Sequence, residues 1–497
     1  MQRHDLPGNT YDLLVVGGGI NGAGIARDAA GRGLSVLLAE KDDLASATSS
    51  SSSKLIHGGL RYLEHYEFRL VAEALAEREV LLRIAAHLVW PARFVMPHVP
   101  ELRPRWMIRA GLFLYDHLTR RASLPGSHAV RLDAPPFSSG LKPQLKHGFI
   151  YSDCRVDDAR LVVANAMSAR ELGATILTRS EVLAARREAG AWKVRLRAHD
   201  GGERELRARA LVNAAGPWVK GVLNERLAQA SRDAVRLVKG SHIVVPKLYE
   251  GDHAFILQND DRRVVFMIPY GELHTLVGTT DVPEAGAAAR PAPSESEVEY
   301  LCRAVNRYLA KPVAAREVVW RYAGVRPLYD DGSADPSAVT RDYTLRVDDE
   351  AGAAPVLSVF GGKITTYRRL AEQALDRLAP YFPGLKRAWT AARPLPGSDF
   401  GGASRVEARD AFFARHARIP VPILRGIFRR HGTHAQAVVA DGDLGEDYGA
   451  GLTEREVRYL VEREWAQSAE DVLWRRTKAG LVMSEGQRAR VAEVLGR

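Results

Sequence analysis

The sequence predicts an α/β fold built around a parallel sheet, and three features of residues 11–40 support that prediction. An apolar run at residues 13–16 indicates a buried strand. Glycines then recur with the spacing G-x-G-x-x-G, and residues 20–32 suit a helix. A second apolar run at residues 36–38 indicates a parallel strand, so the segment predicts a strand–helix–strand unit.

The glycine spacing indicates a dinucleotide site at the first turn of this unit. Gly17 permits the tight turn, Gly19 lets the backbone approach a pyrophosphate, and Gly22 lets the helix pack closely on the sheet. The helix N-terminus favours the pyrophosphate because its free N–H groups and its dipole attract anions. Glu40 ends the second strand, where its carboxylate can accept hydrogen bonds from ribose hydroxyls. A glycine-rich turn in an unrelated α/β domain is the alternative.

Charge and cysteine content narrow the function classes. The chain has 497 residues, enough for two or three domains, and a net charge of +10. This charge suits an anionic substrate, an anionic membrane or nucleic acid, but the basic residues are spread along the chain, so we expect no nucleic-acid binding. Cys154 and Cys302 are the only cysteines, and their positions predict reduced thiols without a disulfide or a metal cluster.

Neither a secretory signal nor a membrane span is expected. Residues 1–10 are polar, and no apolar stretch reaches the roughly 20 residues that a spanning helix needs. The best apolar candidate, residues 106–115, is interrupted by Arg109.

Beyond residue 40 the pattern predicts a divided chain with long insertions. Strands are predicted at residues 181–187, 192–198 and 203–208, with a returning strand from 210, and then at 237–246, 254–257, 264–269, 274–279 and 356–360. Helices are predicted at residues 70–88, at 157–172, from about 363 to 378, and at 454–467 and 469–481, and from about residue 404 we expect helices only.

These elements predict three pieces of a dinucleotide domain at residues 1–90, 151–235 and 351–395. An insertion occupies residues 91–150, a strand-rich substrate domain residues 236–350, and a helical domain residues 396–497. The element order is similar to that of flavoproteins with two dinucleotide-type folds and a substrate-binding cap.

The chain resembles the bacterial respiratory type of FAD-dependent sn-glycerol-3-phosphate dehydrogenases over nearly its full length. The segments that carry the resemblance are GGGINGAG (17–24), SSKLIHGGLRYLE (52–64), YSDCRVDD (151–158), KGSHIVVP (239–246), GTTD (278–281), GVRP (324–327), TRDYT (340–344) and GGKITT (361–366). The resemblance implies noncovalent FAD, oxidation of sn-glycerol 3-phosphate to dihydroxyacetone phosphate by hydride transfer to the flavin, and transfer of the electrons to a membrane quinone. No metal is expected.

A phosphate dianion needs fixed cations, and four motif positions supply them. Arginine offers a planar donor fork for phosphate oxygens. The resemblance points to Arg61, Arg326, Arg341 and Lys363. We expect Arg326 and Arg341 to lie in short connections that overhang the flavin, although a solvated surface arginine is the plainer interpretation of each.

Proton removal from the substrate hydroxyl needs a base, and histidine is the usual supplier. His242 is our candidate for substrate contact and base, with Arg326 and Lys363 stabilising the developing alkoxide. A hydrogen-bonded core histidine is the alternative for His242. Tyr62 and Thr280 are candidate hydroxyl partners of the substrate.

The flavin end of the cofactor is expected to contact three further segments. These are the serine-rich run with the residues after it, the end of the returning strand, and the glycine pair that precedes a helix. The candidate cofactor contacts are Thr48, Ser49, Ser53, Lys54, Leu55, His57, Gly58, Ala215, Gly216, Gly361, Gly362, Lys363 and Thr365.

Transfer to a membrane quinone requires contact with the bilayer, and residues 103–121 are the best candidate for that contact. Aromatic and aliphatic side chains there are flanked by basic ones, as in interfacial helices on anionic lipid. An ordinary buried helix with charged ends is the alternative. We therefore expect a cytoplasmic protein bound peripherally to the inner face of the cytoplasmic membrane, with a homodimer left open.

Two other functions remain open from the sequence. A soluble oxidase would pass the electrons to oxygen and make hydrogen peroxide. A non-catalytic flavin- or nucleic-acid-binding protein would leave the arginine and histidine positions incidental, and nucleic-acid binding would show a steep salt dependence.

Overall fold

The computed structural model describes residues 9–99, 104–119, 122–229, 233, 235–261, 263–286, 290–330, 342–350, 352–440 and 442–496. Two large sheets organise this part of the chain, together with a C-terminal region of mostly helices. The strands are β1 Thr10–Val16, β2 Val36–Ala39, β3 Leu55–Ile56, β4 Val89–Pro97, β5 His128–Arg131, β6 His147–Val156, β7 Thr175–Leu177, β8 Glu181–Glu188, β9 Ala191–Arg197, β10 Glu203–Asn213, β11 Val235–Pro246, β12 Ala254–Gln258, β13 Val264–Tyr270, β14 His274–Gly278, β15 Val282–Glu284, β16 Trp320–Tyr329, β17 Thr344–Asp348, β18 Val356–Phe360, β19 Asp447–Gly449 and β20 Leu452–Thr453.

The helices lie between and after these strands. They are α1 Ile20–Gly31, α2 Phe68–Ile84, α3 Arg105–His117, α4 Asp158–Glu171, α5 Val219–Gly221, α6 Glu295–Asn306, α7 Tyr367–Leu378, α8 Arg405–Arg415, α9 Val421–His431, α10 Ala435–Val439, α11 Glu454–Glu464 and α12 Glu485–Leu495. Short 3₁₀ or π turns extend several of them, including Ile364–Thr366 before α7 and Asp471–Arg476 after α11.

The first sheet is the predicted parallel dinucleotide sheet. Its strand order is β17-β18-β10-β1-β2-β7, with β8 and β9 attached to β10, and β1 pairs in parallel with both β2 and β10. Strands β2 and β18, the end of β1 and the end of β10 are buried on both faces, which explains their unbroken apolar runs. Helix α1 packs against α4 and α7 on one face, so the glycine turn between β1 and α1 opens at the carboxyl edge of the sheet.

The second sheet covers that edge. Its order is β15-β11-β14-β13-β12-β4-β6-β3, with β16 paired to β11 and β5 paired to β6. Strands from the insertion at residues 91–150 and from the strand-rich region at 236–350 therefore belong to one sheet. Helix α6 begins with a capping box at Ser294 and Glu297 and packs its apolar face on β11 and β13.

Most predicted elements lie within a few residues of the observed ones, and three predictions are wrong. The strand predicted at 203–208 and the returning strand from 210 form one strand, β10, whose first half pairs with β9 and whose second half pairs with β1. The C-terminal region is not purely helical, because β19 and β20 form a hairpin. The helix predicted at 469–481 is two short turns, because Lys478 has a φ of +61° and stops helix propagation.

A buried ionic network fixes the C-terminal region to the first domain. Arg160 on α4 pairs with Glu464 on α11. Glu456 accepts hydrogen bonds from Arg430 and lies 2.8 Å from the Nε2 atom of His431. Burial alone would raise the pKa of Glu456, but Arg430 and His431 outweigh burial and hold that pKa at about 2.

We predict that Glu456→Gln lowers the free energy of unfolding by about 3–5 kcal/mol at neutral pH, because the Arg430 guanidinium loses its buried carboxylate partner. A carboxylate whose folded-state pKa is depressed stabilises the fold above its unfolded pKa near 4.5 and loses that contribution as the pH falls toward 2. Urea unfolding at pH 7, 5 and 3.5 should therefore show the difference between the wild type and the variant narrowing below pH 4.5. A difference that does not change with pH would contradict this assignment.

Candidate active site

A cavity of about 1900 Å³ lies between the two sheets. It is lined by the glycine turn after β1, the serine-rich segment at residues 46–53, residues 214–218 after β10, strand β16, and residues 361–365 after β18. All of these segments except strand β16 were predicted to contact the cofactor, and the four come from separate parts of the chain.

The glycine turn is shaped by steric exclusion. Gly17 has a φ of +109°, and a Cβ added there would lie 2.6 Å from the carbonyl oxygen of Ala214. A Cβ added at Gly22 would lie 1.9 Å from the carbonyl oxygen of Gly17. At Gly19 an added Cβ would meet only the Ser49 hydroxyl at 3.1 Å. The geometry agrees with the tight turn, the close helix packing and the approachable backbone that the spacing predicts.

Glu40 lies beside this turn, as predicted. Its carboxylate accepts hydrogen bonds from the backbone N–H of Gly18 at 2.6 Å and of Asp42 at 2.8 Å, and the residue lines the cavity. Burial raises the pKa of Glu40, although these two backbone donors act in the opposite direction. A carboxylate has further lone pairs, so Glu40 can still accept a hydrogen bond from a ligand hydroxyl.

The serine-rich segment connects the two sheets across the cavity. The Ser49 hydroxyl accepts a hydrogen bond from Ile20 N at 3.0 Å, and the Thr48 hydroxyl donates to Val325 O at 2.7 Å. Ser53 lies 2.9 Å from Nε2 of His242. Thr48, Ser49 and Ser53 line the cavity, and Leu55 follows them in the lining.

The structure corrects the prediction for Lys54 and Gly58. The Lys54 ammonium is buried on the other side of the segment, where it donates to Asp158 at 2.9 Å and to Ser50 O at 2.8 Å. Gly58 donates its N–H to the Tyr115 hydroxyl at 2.8 Å. Neither residue lines the cavity, because an internal carboxylate and an internal phenol have already taken their polar groups.

His242 is buried within β11, and its imidazole contacts Ser53 and Tyr322. Nε2 bonds Ser53, the ring stacks on Tyr322 with centroids 4.9 Å apart, and Nδ1 is buried with no hydrogen-bond partner among the described residues. Burial, reinforced by repulsion from Arg326 and Lys54, holds the pKa of His242 well below its usual range. The imidazole is therefore neutral at physiological pH.

Arg326 lies in the middle of β16 and not in a connection as the sequence indicated. The β11–β16 ladder places it opposite Val238, and its side chain reaches Asp281 and donates to the Thr279 hydroxyl at 3.0 Å. A Cβ added at Gly240 would lie 2.4 Å from the guanidinium, so that glycine makes room for the side chain. Arg326 and Asp281 both line the cavity.

Lys363 and Tyr62 meet at the opposite wall. The Lys363 ammonium lies 3.8 Å from the centre of the Tyr62 ring, and both residues line the cavity together with Arg61 and His57. Burial, opposed by Asp153 and reinforced by Lys363, lowers the pKa of His57.

The remaining predicted cofactor contacts lie at the edge of the first sheet. Gly361 and Gly362 have φ values of +79° and +102°, and Asn21 donates to Gly361 O at 3.2 Å. The Thr365 hydroxyl accepts from His57 N at 3.3 Å. Ala215 and Gly216 line the cavity beside Gly17.

Two predicted substrate contacts, Thr280 and Arg341, are not among the described residues that line the cavity. Thr280 faces away from the cavity, because its hydroxyl accepts from Ser241 N at 2.9 Å and donates to the buried Glu297 at 2.9 Å. Its neighbours Thr279 and Asp281 line the cavity instead, on the alternate face of the chain. Arg341 lies outside the described residues.

Sequence reasoning also missed an apolar part of the lining. Leu60, Tyr151, Ile256, Val264 and Phe266 line one side of the cavity. Ile256, Val264 and Phe266 lie on one face of the neighbouring strands β12 and β13. Because successive side chains of a strand point to opposite faces, the spacing of these residues could have predicted that they share a surface.

Comparison with known proteins identifies the family. Residues 12–368 match the family described as FAD dependent oxidoreductase, and residues 388–496 match the C-terminal domain of alpha-glycerophosphate oxidase. The chain is 56% identical over 490 residues to a glycerol-3-phosphate dehydrogenase of Pseudomonas aeruginosa, covering 98% of this chain and 95% of the relative. It is 52% identical to the aerobic glycerol-3-phosphate dehydrogenase of Escherichia coli, covering 98% of this chain and 97% of the relative.

The chain belongs to the FAD-dependent glycerol-3-phosphate dehydrogenase family. A D-erythritol 1-phosphate dehydrogenase of Brucella abortus is 52% identical and covers 97% of each chain. Among solved structures, the glycerol-3-phosphate dehydrogenase of Bacillus halodurans complexed with FAD has a TM-score of 0.74 at 26% identity, covering 98% of this chain and 94% of that chain.

The residues of this site fit the FAD that the family requires. The turn at Gly17 and Gly22 leaves no room for side chains, so the backbone is free to approach the pyrophosphate. Glu40 lies at the position for ribose hydroxyls, and the cavity extends from Glu40 past Gly361 to Lys363. The protein is thus an FAD-dependent oxidoreductase, and the cavity between the sheets fits its cofactor.

We predict that Gly22→Ala abolishes FAD retention, because the added Cβ would lie 1.9 Å from a backbone carbonyl oxygen that cannot move away. The ratio of flavin absorbance to protein absorbance in the purified variant should fall at least tenfold. Gly486→Ala is the matched control, since an added Cβ there meets nothing within 4 Å in helix α12. Full flavin content in Gly22→Ala would refute the role of this turn.

Proposed function

We propose that this protein oxidises sn-glycerol 3-phosphate to dihydroxyacetone phosphate by hydride transfer to FAD and passes the electrons to a membrane quinone. The observation that carries the proposal is the convergence of Arg61, Lys363, Arg326 and a neutral His242 on the cavity that begins at the glycine turn. The names of the Pseudomonas and Escherichia relatives support the choice of substrate.

Cationic side chains in the cavity lining suit the phosphate of the substrate. Arg61, Lys363 and Arg326 all line the cavity, and Arg326 keeps its orientation through Asp281 and Thr279. The guanidinium groups can donate paired hydrogen bonds to phosphate oxygens. We propose Arg341 as a further contact on its motif position alone.

His242 suits the proton transfer. Bound FAD supplies the hydride acceptor for the C2 hydrogen. A neutral imidazole can accept the C2 hydroxyl proton at a ring nitrogen, and the oxygen that loses this proton gains the negative charge that expels the hydride from C2. Arg326 and Lys363 then stabilise negative charge that develops on the oxygen.

We predict that anaerobic addition of sn-glycerol 3-phosphate bleaches the flavin absorbance of the wild type, and that His242→Ala slows this bleaching 10²–10⁴-fold, the usual range for a lost general base. His128→Ala is the control, because His128 is exposed on β5 and outside the cavity lining. Wild-type rates in His242→Ala would overturn the base assignment, and no bleaching with intact flavin content would overturn the proposed reaction.

D-erythritol 1-phosphate is a second candidate substrate. The Brucella relative named for it is as similar to this chain as the Escherichia protein is. Bleaching rates for the two phosphates in the same preparation decide between them, since the true substrate should have the higher kcat/KM. Rapid oxygen consumption without quinone would instead favour the oxidase.

We further propose that α3 contacts the membrane. None of the described helices is both long enough and apolar enough to cross a bilayer. On α3, however, Trp106 is 70% exposed and Phe113 is 53% exposed, with Met107 and Leu114 also exposed. A contiguous set of large exposed apolar side chains marks an interaction surface.

The buried face of α3 leads toward the cavity. Ile108 and Leu112 belong to the same apolar cluster as Leu60, Val264 and Phe266, which line the cavity. An apolar quinone that enters from the α3 side would therefore meet an apolar wall before it reaches the flavin. This supports a position on the inner face of the cytoplasmic membrane.

We predict that the protein sediments with anionic vesicles at low salt and that Trp106→Glu/Phe113→Glu weakens this binding at least tenfold, because both anchors become charged. Val482→Glu/Val494→Glu is the matched control, since these exposed apolar residues lie in the C-terminal region. A wild-type protein that stays in the supernatant would refute the membrane contact.

A further inference from the structure

Three arginines surround one tryptophan at the junction between the second sheet and the C-terminal helices. The guanidinium carbons of Arg155, Arg405 and Arg429 lie 5.7, 5.8 and 5.5 Å from the ring centre of Trp90. None of these four residues lines the large cavity, so this cluster is separate from the active site.

The cluster is assembled from distant parts of the chain. Arg155 on β6 is the cross-strand partner of Trp90 on β4. Arg405 is the first residue of α8, and Arg429 lies in the last turn of α9. The helices are held against the sheet nearby, because Arg425 on α9 pairs with Glu272 at 3.2 Å.

The described residues give this cluster no ion pair, and Asp252, the carboxylate that acts on Arg155, lies beyond salt-bridge distance. Among the described residues, no carboxylate lies within 4 Å of the Arg155, Arg405 or Arg429 guanidinium groups. Asp157, which lies near Arg429, is already paired with Lys478 at 3.2 Å. Burial, together with repulsion from Arg429, lowers the pKa of both Arg155 and Arg405.

Two buried polar atoms beside the cluster also lack partners. Arg155 donates to Pro269 O at 2.8 Å, but its Nε has no hydrogen-bond partner among the described residues. The hydroxyl of Tyr270, one residue beyond Pro269, likewise has none. Buried donors without partners are costly and rare in folded proteins.

The contacts of the three guanidinium groups with the Trp90 ring do not compensate for the repulsion between these groups. A cation over an indole ring gains only a small stabilisation at an exposed site. Three cations around one ring repel one another, and Arg405 in the first helical turn also opposes the dipole of α8. A dianion bound between the guanidinium groups would reduce their mutual repulsion, and its negative charge would interact favourably with the N-terminus of α8.

We propose that Arg155, Arg405 and Arg429 bind a phosphate group at this junction. Three guanidinium groups match the charge and the oxygen geometry of a phosphate dianion better than those of a single carboxylate. The phosphate belongs either to a small soluble ester or to an anionic phospholipid headgroup. Its binding joins the second sheet to the C-terminal helices and stabilises that junction.

Thermal unfolding of the FAD-loaded protein in inorganic phosphate, at constant ionic strength against chloride, tests the site. Ligand that binds only the folded state raises Tm with concentration. We expect phosphate to raise the Tm of the wild type and of the control Arg415→Gln/Arg418→Gln, which has the same net charge as the test variant. The test variant Arg405→Gln/Arg429→Gln should lose at least half of the rise, the remainder coming from phosphate in the catalytic cavity.

A second arm separates the two sources of phosphate. Vesicles of phosphatidic acid in phosphatidylcholine are sedimented with the three proteins. Weaker binding in Arg405→Gln/Arg429→Gln than in the wild type and the control, with the α3 contact retained in all three, supports a lipid headgroup, whereas equal vesicle binding with a lost Tm response supports a soluble phosphate. The single variant Arg429→Gln, at an exposed position, should show an intermediate Tm response. Equal responses of all proteins in both arms would overturn the proposal.

Discussion

The hydrogen bonds of residues 48–53 are the constraint on which the active site depends. This segment reaches Ile20 at the start of α1 through Ser49, β16 through Thr48, and His242 on β11 through Ser53. It therefore sets the distance between the cofactor sheet and the substrate sheet. A serine-rich run usually indicates a flexible linker, but here the hydroxyls of Thr48, Ser49 and Ser53 make specific contacts with three separate elements.

The same segment explains the electrostatics of the site. Lys54 lies directly after it, yet its ammonium faces Asp158 on the side away from the cavity, while His242 lies on the cavity side with no carboxylate partner. Burial without an acid keeps His242 neutral, which is the state that accepts a proton. The site therefore combines arginine and lysine side chains, which suit an anionic substrate, with an uncharged imidazole.

The sequence predicted the structure correctly where neighbouring residues alone determine the backbone conformation. The glycine spacing predicted the turn at Gly17 and Gly22 because no side chain fits there, and the apolar runs predicted the buried parallel strands. Side-chain direction was harder to predict. Lys54 and Thr280 lie in the same motifs as cavity residues but face the interior, and their partners, Asp158 and Glu297, are 104 and 17 residues away. Arg326 was placed in a loop because Pro327 follows it, although β16 accommodates proline where the ladder to β11 continues through neighbouring residues.

The C-terminal region shows how long-range charge pairing completes the site. Asp43, three residues beyond Glu40, is buried against Arg475 and Arg476, each at 2.7 Å, and Arg179 pairs with Asp471 at 2.7 Å. Residues 468–475 also line the cavity near Asp42 and Ser180. The helical region therefore closes the cavity at the end marked by Glu40 while its other helices surround Trp90. Because a buried ion pair broken on one side leaves an uncompensated charge, these pairs make separation of the C-terminal region from the dinucleotide turn unfavourable. Retention of the cofactor and docking of this region are thus expected to be one linked equilibrium.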